Sequence, residues 1–148
     1  MKAVCQVVKC AALSESGKEI SKIGRGLLVY IGFSESDTEN GILKALNKIC
    51  GLRVFADDNG KLNLSLSDIE GQMLLVSNFT LYADLSRGFR PSFVKSAKFD
   101  KAYALYEFCL DYISKAGIDV KPGVFGGDMI IQSSADGPVN IIADSEEL

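Results

Sequence analysis

The stretch Met73-Leu74-Leu75-Val76-Ser77-Asn78-Phe79-Thr80 decides how this chain folds. Its four leading apolar residues predict a central strand, because a strand that is buried on both faces is apolar throughout. The strand then ends in hydroxyl and amide side chains, where the backbone N–H groups of Phe79 and Thr80 are expected to be free to stabilise an oxyanion. A turn that uses Ser77 and Thr80 only to satisfy its own backbone is the alternative.

Other strands are predicted on both sides of this segment. A strand that begins at Lys2 turns back at Gly17, and Asp58-Asn59-Gly60 predicts a tight hairpin turn. The predicted strands are Lys2–Ala11, Lys18–Ile23, Leu27–Ile31, Leu52–Phe55, Asp128–Ser134 and Val139–Ala143.

Two amphipathic helices are expected to cover the sheet. The first is capped by Asp37 or Thr38 and ended by Gly51, and the second is capped by Ser96 and ended by Gly117. The chain is therefore predicted to form one α/β domain over residues 1–148, with mostly antiparallel strands. The helical stripes expected in the core are Ile42, Leu46 and Ile49 in the first helix and Phe99, Tyr103, Tyr106, Leu110 and Ile113 in the second.

The absence of histidine removes several classes of site. The chain contains no His, whereas Ser-His-Asp and Cys-His nucleophiles need an imidazole as the base, and common zinc sites use imidazole or closely spaced cysteines. The four cysteines form no C-x-x-C pair, and all lie in apolar segments where they are expected to be buried and free. They are Cys5, Cys10, Cys50 and Cys109.

The charge and hydropathy of the chain limit the kinds of partner that it can bind. A net charge of -3 argues against binding along a nucleic-acid duplex. The longest apolar run, Gly26 to Phe33, is too short to span a bilayer, so a soluble, cytoplasmic protein is expected. A local phosphate contact and a solvated face are both open for the basic segment Leu85–Lys101, which carries Arg87, Arg90, Lys95, Lys98 and Lys101 against Asp100 alone.

Two glycine-rich motifs are ambiguous when taken singly. Gly137-Pro138 interrupts a predicted strand, and such a step usually marks a turn. The segment Gly123–Gly127 lacks the Lys-Ser/Thr ending of a phosphate-binding P-loop, so packing or turn geometry is the favoured explanation.

Taken together, the motifs resemble the D-aminoacyl-tRNA deacylase family, and they occur in family order along essentially the whole chain. The matching segments are Ile23–Val29, Asn63–Leu66, Ser77–Asp84, Arg90–Phe93, Gly123–Gly126 and Asp136–Val139. The resemblance implies a barrel-like fold, a homodimer, and an enzyme that hydrolyses the ester bond of D-aminoacyl-tRNA as chiral proofreading in translation. It also implies clearance of mischarged glycyl-tRNA(Ala).

The resemblance further implies roles for individual residues. Ser77, Phe79 and Thr80 would form the catalytic pocket together with the 2′-hydroxyl of the tRNA, and Asn78 would contact the substrate. Phe125 and Met129 would flank the terminal adenine. A Gly-cisPro element at Gly137-Pro138 would enter the pocket of the partner subunit and reject L-amino acids. We expect Arg87 and Lys95 to contact tRNA phosphates. No cofactor, metal, DNA or membrane partner is implied.

Three positions depart from the family pattern. Asn78 replaces the usual Gln, Asn140 replaces the usual Thr, and Val7 replaces an Arg that helps to hold the Gly-cisPro loop. These changes bear on stringency against L-amino acids and glycine. They also leave open a non-catalytic tRNA-end or nucleotide-binding module. A Thr80-dependent hydrolase of small esters is weaker, because nothing in the sequence activates Thr80.

Overall fold

The computed structural model describes residues 1–148. It contains eight strands, two α-helices and one short 3-10 helix. In chain order these are β1 (Lys2–Glu15), β2 (Lys18–Ile23), β3 (Gly26–Gly32), α1 (Glu39–Cys50), β4 (Phe55–Ala56), β5 (Leu62–Leu64), β6 (Gln72–Ser77), the 3-10 helix (Phe79–Tyr82), α2 (Phe99–Lys115), β7 (Asp119–Pro122) and β8 (Met129–Asp144).

The main sheet is organised around the long first strand. β1 pairs antiparallel with β2, β3 and β8, whereas β6 lies between β3 and β7 and is parallel to both. The hydroxyl of Ser21 on β2 donates to the carbonyl of Pro122 on β7 at 2.6 Å. The sheet is therefore nearly closed, and the predicted class, a mostly antiparallel, barrel-like sheet with two helices, is confirmed.

The core has two parts because β3 and β6 are buried on both faces. Leu28 and Leu74 point to a small cluster of seven buried residues. Their neighbours Val29 and Leu75 point to a larger cluster that also contains the buried faces of α1 and α2. This arrangement explains the unbroken apolar sequence of both strands. It confirms Met73–Val76 as the centre of the fold.

The first helix matches its prediction. Thr38 caps α1 by accepting a hydrogen bond from the Gly41 N–H at 3.3 Å, and Gly51 follows the last helical residue. The predicted core residues Ile42, Leu46 and Ile49 are all buried.

The prediction for the second helix is wrong at its N-terminal end. Ser96 does not cap α2 and instead donates to the Phe79 carbonyl at 3.0 Å. Lys98 occupies the cap position without a side-chain hydrogen bond. Phe99 and Tyr103 are 63% and 46% exposed, so they are not core residues. Both rings instead make edge contacts with Phe125.

Several strand predictions need correction. Leu52–Phe55 is not a strand, because β4 contains only Phe55 and Ala56. The predicted hairpin turn is confirmed between β4 and β5, but only Gly60 has a positive φ, of 74°. The Asp57 carboxylate holds this turn by accepting hydrogen bonds from the Asn59 and Lys61 amides.

The two predicted C-terminal strands form the single strand β8, and the short strand β7 was not predicted. Gln6 lies opposite Asn140 and Val8 lies opposite Ala135. The four residues 136–139 therefore bulge out opposite the single residue Val7. A bulge keeps a Gly-Pro step inside a paired strand.

Cys5 and Cys109 are buried and Cys50 is half-buried, whereas Cys10 is exposed, so the expectation of burial is wrong for Cys10. All four thiols are free, as expected. None of the helices combines the length and the apolar character needed to cross a membrane.

Candidate active site

A cleft of about 820 Å³ opens where the parallel strands β3 and β6 end. Its floor includes Gly32 and the segment Ser77–Thr80, and its far wall comes from Phe99 on α2 and the loop before β8. Clefts at the carboxyl ends of parallel strands are common ligand sites, and this volume is typical of a small-molecule site. The expected site segment therefore lies in the main cleft of the molecule.

The floor of the cleft is fixed by hydrogen bonds to Asn78. Its backbone N–H donates to the Ile31 carbonyl at 2.7 Å, which extends the β3–β6 pairing by one residue. Its side-chain oxygen caps the 3-10 helix by accepting from the Thr80 N–H at 3.1 Å and from the Thr80 hydroxyl. Asn is a favoured capping residue. Asn78 thus holds the floor in place.

These bonds correct the expected set of oxyanion donors. The Thr80 N–H is not free, because it already donates to Asn78. Phe79 occupies the first position of the 3-10 helix, where an N–H has no intrahelical partner. The Thr80 hydroxyl donates to a neutral amide oxygen, which is too weak a base to activate it. Phe79 is therefore the better main-chain donor of the two.

Aromatic side chains form the opposite wall. The ring of Phe125 makes edge contacts with Phe99 and Tyr103, at centroid distances of 5.1 and 5.2 Å. The Met129 sulfur accepts a hydrogen bond from the Val124 N–H at 3.3 Å, and Phe125 and Met129 both line the cleft. Such a wall can hold a flat heterocycle by stacking. Sequence reasoning missed Phe99, since its helical spacing is also that of a core residue.

Tyr106 fixes this aromatic wall to the sheet. Its hydroxyl donates to the Leu75 carbonyl at 2.8 Å and accepts from the Gly123 N–H at 3.0 Å. Burial raises the pKa of Tyr106 to about 12, so the hydroxyl stays protonated at neutral pH. Gly126, with a φ of 71°, then turns the chain beneath Phe99. Turn geometry and close packing explain these glycines, as expected.

Gly137 and Pro138 lie outside the cleft of their own chain. Both are exposed, and the peptide bond between them is cis. Val7, the residue opposite the bulge, is buried in the main core cluster. Asn140 accepts a hydrogen bond from the Gln6 amide at 3.0 Å. Two of the three departures from the family pattern, Val7 and Asn140, thus lie at the base of the bulge. Gly137 and Pro138 form its exposed tip.

The positive charge of the basic segment Leu85–Lys101 is partly neutralised by an acidic side chain. Lys95 pairs with Asp84 at 3.1 Å. Hydrogen bonds from Ser86, together with Lys95, lower the pKa of Asp84 to about 2. Arg87 lies beside Asp84, Ser86 and Ser92 in a small surface depression outside the main cleft. No group of three or more His, Cys, Asp and Glu side chains is placed to bind a metal ion.

Comparison with known proteins links this architecture to tRNA chemistry. Residues 4–144 match a family model described as D-Tyr-tRNA(Tyr) deacylase. The chain is 46% identical over 149 residues to a D-aminoacyl-tRNA deacylase of Thermosipho melanesiensis, covering 100% of this chain and 99% of that relative. It is 43% identical over 148 residues to a D-aminoacyl-tRNA deacylase of Aquifex aeolicus, covering 100% of both chains.

Two solved structures share the fold. One, described as c-Myc DNA unwinding element binding protein, has a TM-score of 0.91 and 36% identity, covering 97% of this chain and 98% of that one. The other, described as a probable eukaryotic D-amino acid tRNA deacylase, has a TM-score of 0.82 and 19% identity, covering 95% and 97%. At that identity the second likeness concerns the fold alone.

Proposed function

This chain belongs to the D-Tyr-tRNA(Tyr) deacylase family, whose members are hydrolases of aminoacyl-tRNA esters, and we propose how its cleft performs that reaction. The substrate is D-aminoacyl-tRNA, and the products are the free D-amino acid and tRNA. The reaction belongs to translation proofreading and takes place in the cytoplasm. One observation carries the proposal: the capped segment Ser77–Thr80 faces the aromatic wall around Phe125 across one cleft.

The terminal adenosine binds on the aromatic side of the cleft. Phe125 and Met129 flank the adenine, and Phe99 closes the pocket at the edge of the base. This orientation brings the ribose and its ester toward the end of β6. Ser77, half-buried as the last residue of that strand, is then placed to orient the ester.

The chemical step needs an oxyanion donor and a path for one proton. Water adds to the ester carbonyl, the Phe79 N–H stabilises the oxyanion, and the bond between the acyl carbon and the 3′ oxygen breaks. The neighbouring 2′-hydroxyl of the tRNA passes the proton of the water to the departing 3′ oxygen. Thr80 shapes the floor and is not the nucleophile, because its hydroxyl is bound to Asn78.

Chirality is enforced by a second copy of the chain. Gly137 and Pro138 are exposed at the tip of a bulge and lie outside their own cleft. Along the same strand, Ile130 and Ile142 are 66% and 77% exposed. Exposed isoleucines on a strand are typical of an interface. In the homodimer, the tip of one chain enters the cleft of the other and leaves no room for an L side chain.

Hydrolysis of D-Tyr-tRNA and L-Tyr-tRNA by the purified chain tests the activity. We expect rapid release of D-tyrosine and little release of L-tyrosine, with a dimer mass by light scattering at micromolar concentration. A chain that binds the charged tRNA but leaves the D ester intact would be a binding module, and the proposal would fail. A monomer that still deacylates would contradict the shared site.

A further inference from the structure

A surface loop of residues 85–91 lies next to the cleft and is closed at its base. Asp84 and Ser92 close it through two backbone hydrogen bonds, of 2.8 and 3.0 Å. Within the loop, the Ser86 N–H donates to the Asp84 carboxylate at 2.9 Å. The next residue after the loop, Phe93, lines the cleft, and its ring lies 5.0 Å from that of Phe79. The loop is thus anchored to the cleft floor at its base.

The tip of this loop combines an unpacked aromatic ring with free positive charge. Phe89 has a relative exposure of 106%, so its side chain makes no packing contact that shields it from solvent. The flanking Arg87 and Arg90 are exposed and take part in none of the six ion pairs of the chain. Aromatic rings beside cations are typical of surfaces that bind single-stranded nucleic acid, where bases stack and phosphates are neutralised.

We propose that Phe89 stacks on an unpaired base just ahead of the terminal adenosine, while Arg87 and Arg90 contact the adjoining phosphates. This inference rests on the proposed function, which places the adenosine in the cleft. Half of the seven-residue segment 85–91 reaches at most about 12 Å from its base. At about 3.4 Å per stacked nucleotide, this distance corresponds to three or four nucleotides. The tip is therefore within reach of the unpaired 3′ end of tRNA.

The charge around Phe89 favours RNA over a second copy of the chain as the occupant. Arg87 and Arg90 form none of the ion pairs of the chain, so the same patch on a second copy would bring like charges together at a free-energy cost, whereas phosphates would neutralise them. The exposed positions of β8, among them Ile130 and Ile142, carry no charge and offer a better surface for self-association. The loop is thus assigned to the tRNA and the strand to the dimer.

The test compares two substrates that differ only in the nucleotides that Phe89 would contact. For Phe89→Ala, we expect KM for D-Tyr-tRNA to rise about 10-fold with kcat nearly unchanged, since stacking on one base is lost. Hydrolysis of 3′-O-(D-tyrosyl)adenosine should change by less than about 2-fold, since it lacks that base.

Two further variants serve as controls. Phe89→Trp should restore the wild-type KM on tRNA. Leu62→Ala, another exposed apolar residue outside the cleft, is the matched control and should match wild type.

RNA binding by Phe89→Ala can be measured independently of ester hydrolysis. A hairpin RNA with an unpaired four-nucleotide 3′ end should bind Phe89→Ala about 10-fold more weakly than wild type, while a blunt hairpin should bind both equally. If wild type hydrolyses neither ester but this difference persists, the proposed function fails and the RNA site stands. Equal losses on both esters, no loss of overhang binding, or a change of Phe89→Ala from dimer to monomer would each overturn the assignment.

Discussion

The cleft floor and the tip of β8 are built in opposite ways. The floor at Ser77–Thr80 is held by bonds to β3 and by the cap from Asn78, so its groups are fixed within one chain. The tip at Gly137 and Pro138 is exposed and faces no cleft of its own. A fixed floor suits electrostatic stabilisation of a reacting ester. An exposed tip can act only when another molecule contacts it, so the proposed function assigns the chemistry to the floor and the selectivity to the tip.

Gly32→Ala should break the floor and produce the largest effect. A β-carbon at this position would lie 2.6 Å from the carbonyl oxygen of Asn78, and backbone atoms cannot yield without moving the capped segment. We expect kcat/KM for D-Tyr-tRNA to fall about 100-fold, because a shift near 1 Å in a site can cost that much. The matched control is Gly41→Ala in α1, where the new β-carbon makes only an ordinary contact at 3.5 Å.

Gly41→Ala should keep full activity and gain about 0.5 to 1 kcal/mol of stability, measured by chemical denaturation. If Gly32→Ala is folded by circular dichroism and fully active, the position of the floor does not limit the reaction.

Gly137→Ala should damage the tip and leave the floor intact. Gly137 has a φ of 121°, and a β-carbon there would lie 2.6 Å from the Val139 backbone nitrogen. The tip must therefore change shape. We expect slower hydrolysis of D-Tyr-tRNA and a D-to-L rate ratio about 10-fold lower, measured on the same tRNA charged with each enantiomer. Unaltered discrimination by a folded dimer would show that the tip is not the chiral filter.

Co-expression of Gly32→Ala and Gly137→Ala chains tests whether floor and tip come from different subunits. In a mixed dimer with a shared site, one of the two clefts combines an intact floor with an intact tip. Such dimers should recover wild-type discrimination at about half the wild-type rate. If each site is complete within one chain, mixing restores nothing.

Features that depend on neighbouring residues could be predicted from the sequence. Local signals were enough for α1, for which Asp37 and Thr38 were the two candidate caps and Thr38 is the actual one, and for the floor segment at the end of β6. The core strands could be predicted because a strand that is buried on both faces has an unbroken apolar sequence. The resemblance to a family placed Phe125 and Met129 in the same cleft as Thr80, which no spacing along the chain indicates.

Features that depend on distant contacts were missed. Helical spacing cannot show what a helix face packs against, so Phe99 and Tyr103 were predicted as core residues although they are exposed and contact Phe125 beside the cleft. The bond from the Thr80 N–H to Asn78 was missed because an amide at a strand end is equally able to face a ligand. β7 has only four residues and ends in a proline, so its pattern is too short to recognise.

Arg87→Ala should affect neither floor nor tip, but only tRNA affinity. We expect KM to rise about 5-fold, the slope of affinity against salt to fall by about 1, and kcat to stay nearly constant. Lys95→Ala should have a smaller effect, since Lys95 is already paired with Asp84. Kinetics from 50 to 200 mM salt measure both, with Lys18→Ala, an exposed lysine on β2, as control. Loss of turnover at saturating tRNA would assign Arg87 to the chemistry.

Thr80→Ala should have the smallest effect, although Thr80 lies on the cleft floor. The alanine removes the hydroxyl but keeps the backbone N–H that Asn78 accepts at 3.1 Å, so the cap and the Phe79 donor remain. We expect kcat to fall less than about 10-fold, whereas loss of an essential nucleophile costs about 10⁴-fold or more. Single-turnover hydrolysis of D-Tyr-tRNA measures the difference.

The companion substrate is tRNA that ends in 2′-deoxyadenosine and is charged at the 3′ position. Undiminished hydrolysis of that substrate would remove the 2′-hydroxyl from the mechanism, and a near-complete loss in Thr80→Ala would restore the side chain as the nucleophile.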